Sequence, residues 1–287
     1  MEVATRKINI ESRSNTVKLT FIGDIHLGGR DCDVNLLRRC IKKIKDDKDH
    51  YWFGMGDYAE FINMTDKRFD PAELEEGTRA DVLNKLMSRQ ADRVVKEFEP
   101  IKDKCLGLLE GNHEKKLELR SGIDMFEDIC RQLRHNVEWD LRLGYCAIVK
   151  LRIIRPGSTG SNKLKICMHH GRGGGRRTGG SVNSTEDMAR IFPFCDIYVR
   201  GHDHRRYAIV ESVVDTAESK DKLIDIHRAY GDSGTFKKTF QQGSTGYGEM
   251  AMFPPTSLGV ISFALDLSAI TERFDIAPHC STSGLPL

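Results

Sequence analysis

Residues 17–26 read Val17-Lys18-Leu19-Thr20-Phe21-Ile22-Gly23-Asp24-Ile25-His26. An apolar run rich in β-branched residues is typical of a buried strand, and the glycine marks its end. Asp24 and His26 are two positions apart, so on an extended backbone their side chains face the same way. A carboxylate and an imidazole on one face suit a divalent metal, although an aspartate just after a strand also serves as a turn residue or a helix cap.

Length and composition describe a folded globular chain. Its 287 residues are enough for one large α/β domain or two small ones. Hydrophobic residues make up 39% and charged residues 30%, which excludes a disordered protein. The formal net charge is only +2, so a general basic coat for nucleic acid is excluded and any polyanion must be bound by a local patch.

Cysteine usage and hydropathy bear on the compartment. The eight cysteines are scattered without a Cys-x-x-Cys pair, which favours a reducing compartment, and we expect a cytoplasmic location. Residues 1–14 contain no apolar segment of a signal peptide, and no stretch approaches the length of a membrane span. We therefore predict no membrane association.

Two helical patterns separate the early strands. The first begins after Asp31 or Asp33, either of which is a plausible N-cap. Its apolar positions recur on one face: Leu36, Leu37, Cys40, Ile41 and Ile44. A long helix is predicted over residues 71–99 and is ended by Pro100. Strand, helix, strand with a carboxylate after each strand is typical of an open α/β sheet, whose site lies along that edge.

Five predicted strands in succession end in a motif with metal-binding side chains. The motifs are Gly23-Asp24-Ile25-His26, Gly56-Asp57, Gly111-Asn112-His113-Glu114, His169-His170-Gly171 and Gly201-His202-Asp203-His204. A glycine in each motif lets the backbone turn tightly. Five such motifs in order are not explained by turns alone, so the sequence predicts a metal site at the strand ends.

In these ordered motifs, from Lys18 to about His204, the sequence resembles the calcineurin-like metallophosphoesterase superfamily. The resemblance implies a fold of the α+β or α/β class, a four-layer α/β/β/α sandwich of two mixed β-sheets. It also implies a dinuclear metal site at the strand ends, which hydrolyses a phosphate ester. We expect residues 1–276 to form a single domain of this kind and residues 277–287 to be a loose C-terminal tail.

The same resemblance implies roles for eight side chains. The first metal would be held by Asp24, His26 and His204. The second metal would be held by Asn112, His170 and His202. Asp57 would bridge both metals, and His113 beside them would act as general acid or transition-state stabiliser.

Paired divalent ions explain why the chemistry needs these residue types. Two ions about 3.5–4 Å apart can share a carboxylate and a water, lower the pKa of that water and clamp the phosphoryl oxygens. Mixed Asp, Asn and His ligation suits Mn²⁺, Fe or Zn²⁺, and we expect Mn²⁺ first. The predicted ligands include no cysteine, which argues against a structural zinc site.

Some assignments have alternatives. His169 could be the ligand in place of His170; we favour His170 because the family's histidine directly precedes a glycine, and His169 would then support it or pack behind it. Glu60 lies near the second motif and Glu114 within the third. Both are expected behind the ligands or at the surface, and a direct role is the alternative.

Charge and glycine content suggest substrate contacts. Arg172, Arg176 and Arg177 lie in a glycine-rich loop where guanidinium groups and backbone amides could bind phosphate. A loop that only keeps the surface polar explains the same residues. Lys237, Lys238 and Tyr247 lie beyond the motifs, in a stretch that we expect to cap the substrate cleft.

These features favour a phosphodiesterase or nuclease that acts on a nucleic acid or a nucleotide. A phosphomonoesterase for small molecules is the alternative enzyme, and a catalytically decayed metal-binding scaffold is the alternative without activity. The protein Ser/Thr phosphatase branch of the superfamily carries Asp-Arg-Gly after its second Gly-Asp, where this chain reads Tyr58-Ala59-Glu60-Phe61. A decayed scaffold would lack ligands, yet all seven can be placed.

Overall fold

In the computed structural model, two β-sheets pack face to face between layers of helices. The structure describes residues 1–10, 16–62, 64, 66, 68–75, 78, 83, 85–136, 138–154, 161–173, 177–216, 221–242, 246–267 and 275–280. For residues 161, 162, 247 and 275–280 it describes the backbone.

The described strands are β1 (Glu2–Asn9), β2 (Thr16–Ile22), β3 (His50–Gly54), β4 (Cys105–Leu108), β5 (Cys146–Ile154), β6 (Ser161–His169), β7 (Ile197–Arg200), β8 (Arg206–Thr216), β9 (Leu223–Ser233), β10 (Ile261–Asp266) and β11 (Asp275–Cys280). The described α-helices are α1 (Val34–Asp46), α2 (Leu86–Phe98), α3 (Asn112–Ser121), α4 (Met125–Leu133), α5 (Thr178–Ile191) and α6 (Tyr247–Met250). Short 3₁₀ helices cover Pro71–Glu73 and Glu99–Lys104.

Both sheets are mixed, and both place parallel strands at their centre. The first sheet has the order β11-β10-β2-β3-β4, in which β2, β3 and β4 run parallel and β10 pairs antiparallel with β2. The second has the order β1-β5-β6-β7-β9-β8, in which β6, β7 and β9 run parallel. Parallel neighbours deliver their carboxyl ends to the same edge, so the predicted motifs of each sheet meet there.

Apolar side chains fill the spaces between layers. One cluster lies between the two sheets and includes Phe21, Phe53 and Phe263, all fully buried. A second covers the outer face of the first sheet with side chains of α1, α2 and α4, and a smaller one packs α5 against the second sheet. This arrangement is the predicted four-layer α/β/β/α sandwich.

Helix α1 forms as its sequence predicts. The carboxylate of Asp33 accepts a hydrogen bond from the N–H of Leu36 at 2.9 Å, which satisfies one of the free donors of the first turn. The residues predicted to be apolar and inward-facing are all buried. The N-cap is therefore Asp33 rather than Asp31.

The long helix predicted over residues 71–99 is wrong for residues 71–75 and 78, which the structure describes without an α-helix. Pro71–Glu73 form a 3₁₀ turn, and α2 begins only at Leu86. The carbonyl of Glu73 accepts the N–H of Arg30 at 2.9 Å, and the N–H of Glu75 donates to the carbonyl of Gly28 at 3.1 Å, which ties this part of the segment to the loop at residues 28–30. These tertiary hydrogen bonds override the local helical pattern. The helix ends at Phe98, before Pro100, as predicted.

Strands at the two ends of the described chain differ from the sequence interpretation. Strand β1 was not expected; it pairs parallel with β5 at the edge of the second sheet. The loose tail predicted from residue 277 is wrong for residues 277–280, because β11 pairs antiparallel with β10. Pro278 is tolerated because β11 is an edge strand, where the missing N–H is not needed. Residues 281–287 lie outside the described ranges.

Among the helices that the structure describes, none combines the length and the apolar character that a membrane crossing requires.

Candidate metal centre

The carboxyl ends of β2, β3, β4, β6 and β7 meet where the two sheets face each other. The loops that follow β2 and β3 are joined by a backbone hydrogen bond, in which the N–H of Asp24 donates to the carbonyl of Gly56 at 3.0 Å. The loops after β6 and β7 are joined similarly, by a 3.0 Å bond from Gly201 to the carbonyl of His170. The motifs predicted from the sequence therefore lie at one place.

A first group of ligand atoms comes from Asp24, His26 and His204, and these atoms all lie within 4.8 Å of one another. The Nε2 atoms of the two imidazoles are 3.2 Å apart, and Nε2 of His204 lies 3.6 Å from Oδ1 of Asp24. That Oδ1 atom is buried and has no hydrogen-bond partner. A buried carboxylate oxygen beside two imidazole nitrogens fits a divalent cation.

A second group comes from Asp57, His170 and His202, again within 4.8 Å. Nε2 of His170 lies 3.4 Å from Oδ2 of Asp57 and 3.2 Å from Oδ1 of Asn112. Nδ1 of His170 lies 2.7 Å from the carbonyl oxygen of Met55, which can only accept, so Nδ1–H donates this hydrogen bond. Nε2 therefore faces the second ligand group.

Asp57 lies between the two groups. Its Oδ2 atom is 4.0 Å from Nε2 of His26 in the first group and 3.4 Å from Nε2 of His170 in the second. Its Oδ1 atom accepts the backbone N–H of His113 at 2.9 Å, which fixes the carboxylate. Among the described carboxylates, this one has the geometry needed to face two cations at once.

The backbone at these side chains is unusual. Asp24, His26, Asp57, His202 and His204 all have positive φ, between 48° and 74°. Non-glycine residues rarely adopt this left-handed region, and such residues cluster at functional sites where the surroundings hold them. The extended backbone expected for Asp24 and His26 is therefore wrong, yet both side chains still reach the same group.

Burial and neighbouring charges shift the protonation of the site. Burial raises the pKa of Asp24 well above its ordinary value and lowers the pKa of His26 to about 4. Burial alone would lower the pKa of His170. The nearby Asp57 carboxylate opposes this effect, and the pKa of His170 is raised to about 10. A proton on His170 and a metal cation thus compete for the same carboxylate charge, so metal binding should release protons.

His113 lies beside both groups. Its ring is edge-on to that of His26, with centroids 4.8 Å apart and planes at 84°. Nδ1 contacts the carbonyl of Glu60 and must donate to it, which leaves Nε2 for another partner. Ligand atoms of His26, Glu60 and His113 also lie within 4.8 Å of one another.

Two glutamates support the centre in different ways. The Glu114 carboxylate accepts hydrogen bonds from the backbone N–H groups of Asp57, Tyr58 and Gly111 at 2.8 to 3.0 Å. It therefore joins the loop after β3 to the start of α3. Oε2 of Glu60 lies 3.0 Å from Nδ1 of His26, so the carboxylate contacts the ring nitrogen that faces away from His204. The sequence placed both beside the motifs but could not tell these roles apart.

The structure separates the two adjacent histidines. His170 is fully buried within the second group, whereas Nδ1 of His169 accepts the N–H of Gly171 at 2.8 Å. The ring of His169 stands edge-on to Tyr145, with centroids 5.3 Å apart. This geometry favours His170 as the ligand.

Replacing His170 by Ala should remove one of two bound metals, because the variant loses an imidazole that faces Asp57. His169→Ala is the matched variant and should keep both metals with reduced stability. Metal content after gel filtration measures the difference. Loss of a metal in His169→Ala with both retained in His170→Ala would transfer the ligand role to His169.

The predicted substrate residues lie in different settings. Arg172 and Arg177 are exposed beside the His170 loop, while Arg176 lies outside the described residues. Lys237 pairs with Glu60 at 2.9 Å and Lys238 with Asp33 at 3.6 Å. The side chain of Tyr247 is also outside the description. Lys237 is therefore paired with Glu60, whose carboxylate contacts His26 of the first ligand group.

Comparison with known proteins identifies the family of this chain. The family model of the calcineurin-like phosphoesterases matches residues 17–206, about two-thirds of the chain. The chain belongs to this family of metal-dependent phosphoester hydrolases. No curated protein matches the sequence.

Solved structures with some likeness come from several organisms. A predicted phosphoesterase from Streptococcus pneumoniae is 10% identical, with a TM-score of 0.33 over 92% of this chain and 89% of its own. The calcineurin-like phosphoesterase YfkN from Bacillus subtilis is 10% identical, with a TM-score of 0.35 over 76% and 91%. Vps29 from Entamoeba histolytica, complexed with zinc, is 12% identical, with a TM-score of 0.32 over 92% and 98%.

Proposed function

We propose that this chain is a phosphodiesterase or nuclease that uses two divalent metal ions, with Mn²⁺ as the favoured ion. The observation that carries the proposal is the carboxylate of Asp57, which lies within 4.0 Å of an imidazole nitrogen from each ligand group. The proposed ligands of the first ion are Asp24, His26 and His204. Those of the second are Asn112, His170 and His202, with Asp57 shared.

When bound, such a metal pair activates a water and stabilises the charge of the phosphoryl oxygens. The chain's own residues then have two tasks. The buried carboxylates and imidazoles fix the ions, and His113 acts on the leaving oxygen through Nε2. Because Nδ1 of His113 is bonded to the carbonyl of Glu60, a proton available for transfer would have to be held on Nε2.

Positive charge near the centre supports a diester of a nucleic acid or nucleotide. Arg172 and Arg177 are exposed on the side of the second sheet. On the other side, Lys116 follows His113 by three residues on α3, so both lie on one helix face. Arg68 is close enough to add to burial in lowering the pKa of Lys116. A substrate with phosphates beyond the scissile one could use these charges.

The cysteines support a reducing compartment such as the cytoplasm. The seven cysteines whose side chains the structure describes are free thiols. This part of the proposal rests on composition and on those thiols, not on the site.

Hydrolysis of two chromogenic esters tests the proposed substrate class. With Mn²⁺ added, kcat/KM for bis(p-nitrophenyl) phosphate should exceed that for p-nitrophenyl phosphate, because a phosphodiesterase must accept a phosphate that carries two ester groups. Chelation by EDTA should abolish both activities, and added Mn²⁺ should restore them. A preference for the monoester would favour the phosphomonoesterase instead, and no hydrolysis of either ester would favour the inactive scaffold.

A further inference from the structure

The segment Gly234–Lys238, here the β9 loop, leaves the second sheet and lies beyond the residues that match the family. It reaches back to the turn that carries Asp24. The hydroxyl of Thr235 donates to the carbonyl of Asp24 at 2.7 Å, and the N–H of Phe236 donates to the same carbonyl at 3.1 Å. Phe236 is fully buried, so the loop is anchored where it touches the ligand turn.

The next residue of the loop extends the contact to a second ligand. Nζ of Lys237 lies 3.0 and 2.9 Å from the two carboxylate oxygens of Glu60 and 3.6 Å from Oδ2 of Asp31. Oε2 of Glu60 lies 3.0 Å from Nδ1 of His26. A chain of contacts therefore runs from the β9 loop through Glu60 to the imidazole of His26.

The two nitrogens of His26 face different partners. Nε2 is 3.2 Å from Nε2 of His204 and belongs to the first ligand group, whereas Nδ1 faces Glu60. A carboxylate beside one ring nitrogen favours the tautomer with its proton there and leaves the lone pair on the other nitrogen for a metal. The backbone N–H of Glu60 donates to the carbonyl of Leu27 at 3.0 Å, so the loop after β2, which carries His26, also holds residue 60.

We infer that Glu60 is a positioning residue that presents Nε2 of His26 to the first metal, and that Lys237 holds the Glu60 carboxylate in place. The inference rests on the proposed function, since it assigns a role within that metal centre. It makes the β9 loop part of the centre and gives Lys237 a role other than contact with the substrate.

Three variants separate positioning from other roles of the carboxylate. Glu60→Gln removes the charge and keeps the length and an oxygen acceptor. Glu60→Asp keeps the charge and shortens the reach to His26 and Lys237. Lys237→Met removes the anchor. Glu97→Asp is the matched control, because Glu97 pairs with Arg38 at 2.6 Å and contacts neither ligand group.

Two measurements report on positioning. Titration calorimetry with Mn²⁺ gives the affinities of the two sites. In metal-free protein, the ¹⁵N shifts of the His26 imidazole, assigned with a His26→Gln spectrum, report which nitrogen carries the proton. Neither measurement depends on turnover, and thermal unfolding of the metal-free variants reports any general loss of stability.

The wild-type protein should bind two ions and show His26 protonated on Nδ1. Glu60→Asp should weaken one site by about 10–100-fold and mix the two tautomers, because contacts behind a ligand typically contribute that much affinity. Lys237→Met should mix the tautomers as well. Glu60→Gln keeps an oxygen acceptor but loses the charge that pairs with Lys237, so it should weaken the site less than Glu60→Asp does. Glu97→Asp should stay close to wild type in both measurements.

The inference would be overturned if the Mn²⁺ affinities of the two Glu60 variants were ranked the other way round. Loss of affinity in Glu60→Gln with wild-type affinity in Glu60→Asp would show that only the charge matters or that Glu60 itself binds the metal. Two-site binding with an unchanged His26 spectrum in Glu60→Asp and Lys237→Met would also overturn it, and would leave the proposed function intact. A wild-type protein that binds no Mn²⁺ would overturn both.

Discussion

Replacing Asp57 by Asn should abolish hydrolysis and lower the metal content of the protein. Oδ2 of Asp57 lies between imidazoles of the two ligand groups, and a neutral amide cannot balance two cations there. Bound ions contribute several kcal/mol of charge stabilisation, so turnover should fall by on the order of 10³-fold or more. Turnover and metal content should be measured on the same preparation.

Glu97→Gln is the matched control for this variant. Its carboxylate is also largely buried, at 9% exposure, but it pairs with Arg38 away from the site. The control should keep both metals and normal turnover. An Asp57→Asn variant with two metals per chain and near-normal turnover would show that the carboxylate does not bridge.

Replacing His113 by Gln should leave both metals in place and remove most turnover. The ring lies beside the two ligand groups, and its Nε2 atom is not used by the contact with Glu60. General acid catalysis typically contributes about 10²–10⁴-fold. The loss should be larger for a diester with a poor leaving group, such as the sugar oxygen of a nucleotide, than for nitrophenolate, which hardly needs a proton.

His135→Gln is the control, because the ring of His135 stands against Trp139, with centroids 6.2 Å apart, and belongs to neither group. Turnover should be compared on both kinds of leaving group, with metal content checked by plasma emission. An equal loss on the two substrates would contradict the general acid. Loss of a metal in His113→Gln would point to a structural role.

The positions of the site residues could be predicted because strand ends are local features. Each of Asp24, Asp57 and His170 follows an apolar run and adjoins a glycine, and parallel pairing brings such ends together. Helix α1 could be predicted for the same reason, since its N-cap and its apolar face are both local. These patterns required no knowledge of tertiary contacts.

Other features depend on contacts between distant residues. At residues 73–75 the predicted helical pattern gives way to hydrogen bonds with the loop at residues 28–30. The pair of Glu60 and Lys237 joins positions 177 residues apart, and no local pattern marks it. The positive φ of His26 arises from its surroundings, because a histidine has no intrinsic preference strong enough to impose it.

Anomalous diffraction from crystals grown with Mn²⁺ would show whether two metal ions share Asp57. We expect two peaks, about 3.5–4 Å apart, both within bonding distance of the Asp57 carboxylate. One peak should contact Asp24, His26 and His204. The other should contact His170 and His202. A single peak, or two peaks of which only one touches Asp57, would contradict the account.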